Sequence, residues 1–298
     1  METAVVVDAT TEYARAVVEE REPAGRWVRL AAERHLRDLE RQGTDEFPYV
    51  FDVEKAQRVL DFFPFCRHVK GPLGGQPIYP EPFQAFIFGS IFGWVHRDTG
   101  LRRFRKAYTQ VARGNAKSTS LSVLGLYMMV ADGEMGAEIY ATATKRDQAR
   151  IVYDSARRMV LNSPDLAARI RAGRSEMEHD VSGAKFRTLS KDDYKTGDGL
   201  APHLGIVDEY HAHPTAEMYE VLNSAMTKRT QPLLFIITTA GDDINSPCYR
   251  EYRYCTRLLE GAVTNEEYFV YIAQLDEGDD WRDESTWIKA NPLVAKTD

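Results

Sequence analysis

The chain has 298 residues, 43% of them hydrophobic, which is enough for one large α/β domain or two small ones with a sizeable core. Its 45 Asp and Glu against 38 Lys and Arg leave a net charge of −7, which excludes a protein that coats nucleic acid by bulk electrostatics and confines any such contact to a local patch. No apolar run approaches the roughly 20 residues of a membrane span, the start "METAVVVDATTEYARAVVEE" is too acidic for a signal peptide, and Cys66, Cys248 and Cys255 lack metal-ligand spacing, so the expectation is a cytoplasmic protein with free reduced thiols.

In chain order, "RWVRLAAERHLRDLERQG" predicts an amphipathic helix in which Trp27, Leu30, Ala31, Arg34 and Leu39 leave a narrow apolar stripe ending at Gly43. A Gly- and Pro-rich loop, "VKGPLGGQPIYPEP", then leads into "FQAFIFGSIFGWVH", an aromatic helix expected to be buried. From Arg103 the pattern becomes short β-branched or apolar runs: "KAYTQVA", "AEIYATA", "AKFRTLS", "HLGIVDE", "PLLFIITTA" and "YFVYIAQL". Helices fit between most of them, over Ser118–Ala131, Lys145–Asn162, Thr215–Lys228 and Ser246–Glu260. Strands without alternation, separated by helices, predict an α/β fold with a mainly parallel sheet covered on both faces. In such folds nucleotides bind beyond the carboxyl ends of the strands.

The stretch "VARGNAKSTS" lies between a predicted strand and a predicted helix. It approximates the phosphate-binding pattern G-x-x-x-x-G-K-[ST], in which backbone N–H groups cradle phosphates, the Lys reaches the β- and γ-phosphates and the hydroxyl binds magnesium. Lys117 and Ser118 match, with Thr119 beside them, whereas Val111 and Ala116 replace both glycines. Gly114 and Asn115 tolerate positive φ at little cost. Forcing Ala116 into a left-handed conformation would cost about 1–2 kcal/mol and weaken nucleotide affinity by about tenfold. An ordinary strand-to-helix turn is the bland alternative.

"HLGIVDEYHAH" ends an apolar run in Asp208 and Glu209, the pattern in which one acid joins the magnesium shell and the next polarises the attacking water. His211 and His213 beside these carboxylates offer a zinc or manganese set, or simply a polar loop before the next helix. Thr238 and Thr239 end another apolar run, where hydroxyls can sense the γ-phosphate, although β propensity alone explains threonines there. Gln84 among aromatics is able to bracket adenine. Arg97, Arg102, Arg103, Arg105, Lys106, Arg113 and Lys117 form a basic run that touches phosphate or lies along a solvated strand edge.

The succession "FQAFIFGSIFGW", "GLRRFRKAYTQVARGNAKST", "YATATKRDQARIVYDSA", "GLAPHLGIVDEYHAH", "QPLLFIITTAG" and "LDEGDDW...WIKANP" resembles the large terminase subunit of tailed bacteriophages, from about residue 60 onward. The resemblance implies a RecA-like P-loop ATPase core over 66–245, after a helical lead-in over 1–65 and before a lid or linker over 246–298. It implies ATP and Mg2+ as cofactors. It also implies double-stranded DNA, a portal protein and a small terminase subunit as partners, and a homo-oligomeric ring, a pentamer in the family, with no membrane association. By the same resemblance Lys117, Ser118, Gly114, Asn115, Ala116 and Thr119 form the nucleotide loop, with Ser118 and Asp208 on the metal. Arg113 is the arginine carried inside the loop, Gln84 the adenine contact, Glu209 the catalytic glutamate, and Thr238 and Thr239 the coupling motif. Arg187 and Arg229 are candidates for an arginine acting on a neighbouring subunit. Residues 244–298 are fewer than the roughly 100 a domain needs, so the nuclease domain of the family is expected to be absent. The rival readings are an assembly subunit with weakened hydrolysis, a helicase sharing the core, and a Mn- or Zn-dependent nuclease built on Asp208, Glu209, His211 and His213.

Overall fold

The computed structural model describes residues 8–142, 146–189 and 199–294, without the side chains of 146–149. Helices α1 (Ala9–Val18) and α2 (Arg26–Arg41) come first, then strand β1 (Tyr49–Phe51) and helices α3 (Val53–Phe62) and α4 (Pro82–Gly93). Strand β2 (Trp94–His96) pairs antiparallel with β1, so the run expected to stay helical through His96 leaves the helix at Gly93. A Cβ at Gly93 would lie 2.5 Å from the Phe51 ring, and only glycine lets the helix end against that hairpin.

The core follows as β3 (Lys106–Gln110), α5 (Lys117–Val130), β4 (Glu138–Thr142), α6 (Arg146–Asn162), α7 (Pro164–Ala167), β5 (Ile170–Ala172), β6 (Glu176–His179) and β7 (Ala184–Leu189). It continues through β8 (Pro202–Val207), α8 (Glu217–Ala225), β9 (Leu233–Thr238), α9 (Pro247–Leu259) and β10 (Tyr268–Ile272). Each strand and helix expected in this part is found; the expected termini at Ala143, Lys145 and Ser190 lie outside the described residues. The sheet order is β10-β3-β9-β8-β4-β7-β6-β5, parallel from β10 to β7 and antiparallel through β6 and β5. β8, β9 and β10 are buried along their whole length, which is why they read as unbroken apolar runs.

One face of the sheet is covered by α4, α5 and α6. Phe88 of α4 stacks on Phe235 of β9, Phe86 packs against Phe269 and Tyr271 of β10, and Gly125 of α5 sits where a Cβ would meet the Phe186 ring at 2.5 Å. On the other face Leu222 of α8, with Met226 just beyond it, lies over Gly205, and Glu251 of α9 accepts from Tyr268 Oη at 2.6 Å. The N-terminal helices pack onto this core: Tyr13 packs on Phe86, its hydroxyl lies 3.0 Å from that of Tyr271, and α3 packs along α4. Full burial of a side chain such as Phe86 contributes about 2–3 kcal/mol.

The basic run is neither a solvated edge nor a phosphate patch at its centre. Arg103 is 1% exposed, donates to Asp38 at 2.8 Å and to the Glu266 carboxylate, and lies over the rings of Phe47 and Phe104. Arg102, also buried, donates to both carboxylate oxygens of Asp132 at 3.1 Å. Among the described residues no helix is long and apolar enough to cross a membrane, and the three cysteines are buried and free.

Candidate nucleotide site

After β3 ends at Gln110, the chain turns through residues 111–116 into α5. Gly114 takes φ +86 with open space where a Cβ would stand. Of the two residues after it, the left-handed one is Ala116, the N-cap of α5, at φ 52 and ψ 24; Asn115 is not among the residues with positive φ. The local cost, about 1–2 kcal/mol, therefore falls on an alanine. Lys117 is buried and folds back over the loop, its Nζ donating to Val111 O at 3.3 Å and Ala112 O at 3.1 Å. Burial draws its pKa down, while the carboxylates of Glu209 and Asp208 act in the opposite sense.

Those acids arrive from β8, which is separated from β3 by β9 alone. Asp208 is 5% exposed, and its carboxyl is pushed up to about 6 by burial and by the charge of Glu209, against the opposing pull of the Glu209 N–H, 2.8 Å from Oδ1, and of Lys117. Glu209 itself is left-handed at φ 49, and its buried Oε2 has no hydrogen-bond partner among the described residues. A buried acid that holds its proton to unusual pH beside an unsatisfied carboxylate oxygen is chemistry that a divalent cation would satisfy.

The two histidines diverge. His213 is buried with Nε2 3.0 Å from Asp208 O, a bond that fixes the turn after β8. His211 joins three site residues: its Nδ1 lies 3.0 Å from Thr238 Oγ1, 3.3 Å from Thr239 Oγ1 and 3.3 Å from Glu209 Oε2, the last without hydrogen-bond geometry. Its backbone N–H also donates to Thr238 Oγ1 at 3.0 Å. The metal set expected on the runner-up reading is thus not assembled, and among the described residues no group of three or more His, Cys, Asp or Glu is placed to hold a metal. The bridging role of His211 was missed, since it depends on the pairing of β8 with β9 and no local spacing announces it.

Two clefts flank the loop. One, of about 620 Å³, is lined by Arg113, Gly114, Ala116, Lys117, Ser118, Thr119 and Glu209 on the loop side and by Ile151, Asp154, Ser155 and Arg158 of α6 opposite, with His68 and Lys70 at its edge. The other, of about 850 Å³, lies over the ends of β3, β9 and β10 and holds His211, Thr239 and Asn291 but neither Lys117 nor Ser118. The chemistry points to the smaller cleft, and Arg113, which is exposed, borders both.

Other sequence candidates lie elsewhere. Gln84 does not line either cleft: its Oε1 accepts from Glu81 N at 2.9 Å, the return arm of a capping box, and its amide nitrogen donates to Ser120 Oγ at 2.8 Å, tying α4 to the first turn of α5. Arg229 is committed at the opposite end of the sheet to Glu134, Gly136 O and Ala201 O. Arg187 donates to Tyr140 Oη at 3.0 Å and lies over that ring, yet it stays exposed.

The strand order, the loop before α5 and the acid pair ending β8 define a P-loop NTPase core of the RecA-like class. Residues 82–257 match the family model for the ATPase domain of the terminase large subunit, and the chain belongs to that family. It is 25% identical over 252 residues to the large terminase subunit of Enterobacteria phage HK97, a match covering 81% of this chain and 47% of that protein. It is 41% identical over 130 residues to Protein YmfN of Escherichia coli strain K12, covering 43% of this chain and 29% of that one. The solved structure of the HK97 bacteriophage large terminase superposes with a TM-score of 0.69 at 22% identity, over 80% of this chain and 48% of that one. The chain therefore spans less than half the length of these relatives.

Residues 262–298, expected to be part of a lid or linker, match the family model for the terminase large subunit endonuclease domain. This runs against the expectation that nothing of the nuclease is present. The first strand of that stretch, β10, is the edge strand of the ATPase sheet beside β3.

Proposed function

We propose that this chain is the ATP-hydrolysing part of a DNA-packaging motor, acting on double-stranded DNA at a portal together with a small terminase subunit, in the host cytoplasm and as a homo-oligomeric ring. The observation that carries the reading is the convergence of Lys117 with Asp208 and Glu209 on one strained loop, each with a perturbed titration or an unsatisfied oxygen. Amide groups of 114–118 and the start of α5 would receive the phosphates, and Lys117 would exchange the carbonyls of Val111 and Ala112 for phosphate oxygens. Magnesium, held by Ser118 and Asp208, would offset charge between the β- and γ-phosphates. Glu209 orients a water for in-line attack and accepts its proton, and Arg113 stabilises the charge that develops on the γ-phosphate. His211 would relay the state of Glu209 to Thr238 and Thr239.

Phosphate release with ATP and magnesium, measured with portal and linear DNA present, tests this. Lys117→Ala and Glu209→Gln should each lower the rate by about 10²–10⁴-fold. Retention of most activity by either variant removes the assignment.

A further inference from the structure

The stretch after β10 returns to the phosphate-binding loop and touches it at three points. Ala112 N–H donates to Ala290 O at 3.3 Å, Asn115 Nδ2 donates to Asn291 Oδ1 at 3.1 Å, and Leu293 N–H donates to Asn115 Oδ1 at 3.1 Å. Asn115 is 2% exposed, and its Nδ2 also reaches Ala112 O at 3.1 Å and Arg113 O at 3.3 Å, so its carboxamide is the internal brace of the loop. The returning strap is itself anchored: Lys289 Nζ lies 2.9 Å from Asp279 and 3.1 Å from Asp276, and Asp276 accepts from Arg26 N at 2.7 Å.

A loop of this type usually relies on glycine where Ala116 stands. An alanine in the left-handed region persists only where its surroundings over-determine it. Bonds inside the loop set the bend, yet an asparagine carboxamide can rotate away from them. Asn291 and Leu293 engage both ends of that carboxamide and remove the freedom. We propose that Asn291, acting through Asn115, is a positioning residue that keeps the loop in its phosphate-receiving shape without the motif's glycines. The proposal rests on the nucleotide reading above. Because coupling is reciprocal, a nucleotide seated in the loop must also tighten the strap, which lies inside the stretch matching the endonuclease domain.

Calorimetric binding of AMP-PNP with magnesium to this chain supplies the test. Asn291→Ala should bind about tenfold more weakly at an unchanged melting midpoint, and adding Ala116→Gly should restore most of that loss, because glycine needs no outside brace. Wild-type affinity in Asn291→Ala, or a lowered midpoint with no rescue by Ala116→Gly, overturns the proposal. In the unmodified chain, saturating AMP-PNP should also slow amide exchange over 287–294; protection of 111–118 with none in the strap overturns it as well. Absence of any binding by the unmodified chain refutes the nucleotide reading itself and not the strap alone.

Discussion

The two ends of the sheet each bury an aspartate, and the two titrate in opposite directions. At the amino ends of the strands, burial would raise Asp132, but Arg102 on both of its oxygens and His203 Nε2 at 2.6 Å more than offset this and hold it down to about 2. At the carboxyl ends Asp208 is also buried, yet a like charge stands beside it and Lys117 is engaged with loop carbonyls, so it is pushed up to about 6. Both non-glycine residues of the site with positive φ, Ala116 and Glu209, are at this second end. Charges partnered within the chain serve stability, whereas charges left under-partnered are held ready for a ligand that brings the missing counter-charge. Arg229 follows the same division: a residue suggested for work on a neighbouring subunit is spent bracing the amino end.

The comparison breaks if removing the partnered acid proves harmless. Asp132→Asn leaves Arg102 buried without its counter-ion and should cost about 3–5 kcal/mol in urea unfolding, with AMP-PNP affinity unchanged. The folded pKa is depressed from 3.8 to about 2, so this stability is present above about pH 4 and is lost as pH falls toward 2. The gap between variant and parent should narrow by about 2–3 kcal/mol over that window.

At the other end the sign reverses. Asp208 is raised from 3.8 to about 6, so folding disfavours its charged form, and the nucleotide-free chain loses stability as pH rises from about 4 to 6. Asp208→Asn should therefore stabilise the metal-free protein by about 2–3 kcal/mol at pH 7.5 and by nothing below pH 4, while abolishing magnesium-dependent hydrolysis. A destabilised variant at pH 7.5 would place Asp208 among the structural acids.

Much of this division is legible in the sequence. Apolar runs bounded by turn residues marked the parallel strands, because a strand buried on both faces cannot hide its composition; the β5–β6 hairpin was not visible, because an edge such as "EMEH" buries only alternate positions. Lys117, Asp208 and Glu209 stand out as candidates in the sequence because each lies next to a strand or helix end. Asn291 does not, since its partner Asn115 is 176 positions away and nothing near "KANP" signals the pairing. Gln84 carries a second signal: the pattern Glu81-Pro-Phe-Gln84 has capping-box spacing, and its amide is engaged with Glu81 N and Ser120 Oγ.

The smallest effect sharpens the comparison at one residue. The sequence reading, in which forcing Ala116 left-handed weakens nucleotide affinity, implies that Ala116→Gly tightens binding, provided that the nucleotide imposes the strain. With Asn115 held by the strap, the left-handed turn at Ala116 is set by the fold itself, so the strain is borne in folding and is nearly equal in the free and bound states. Relief of about 1–2 kcal/mol, less the 0.4–1 kcal/mol by which glycine favours the unfolded chain, should leave a gain of about 0.5–1 kcal/mol in unfolding free energy with affinity changed less than about threefold. A large gain in affinity with no gain in stability would mean that the strap does not hold the free loop, and that the nucleotide itself imposes the left-handed turn.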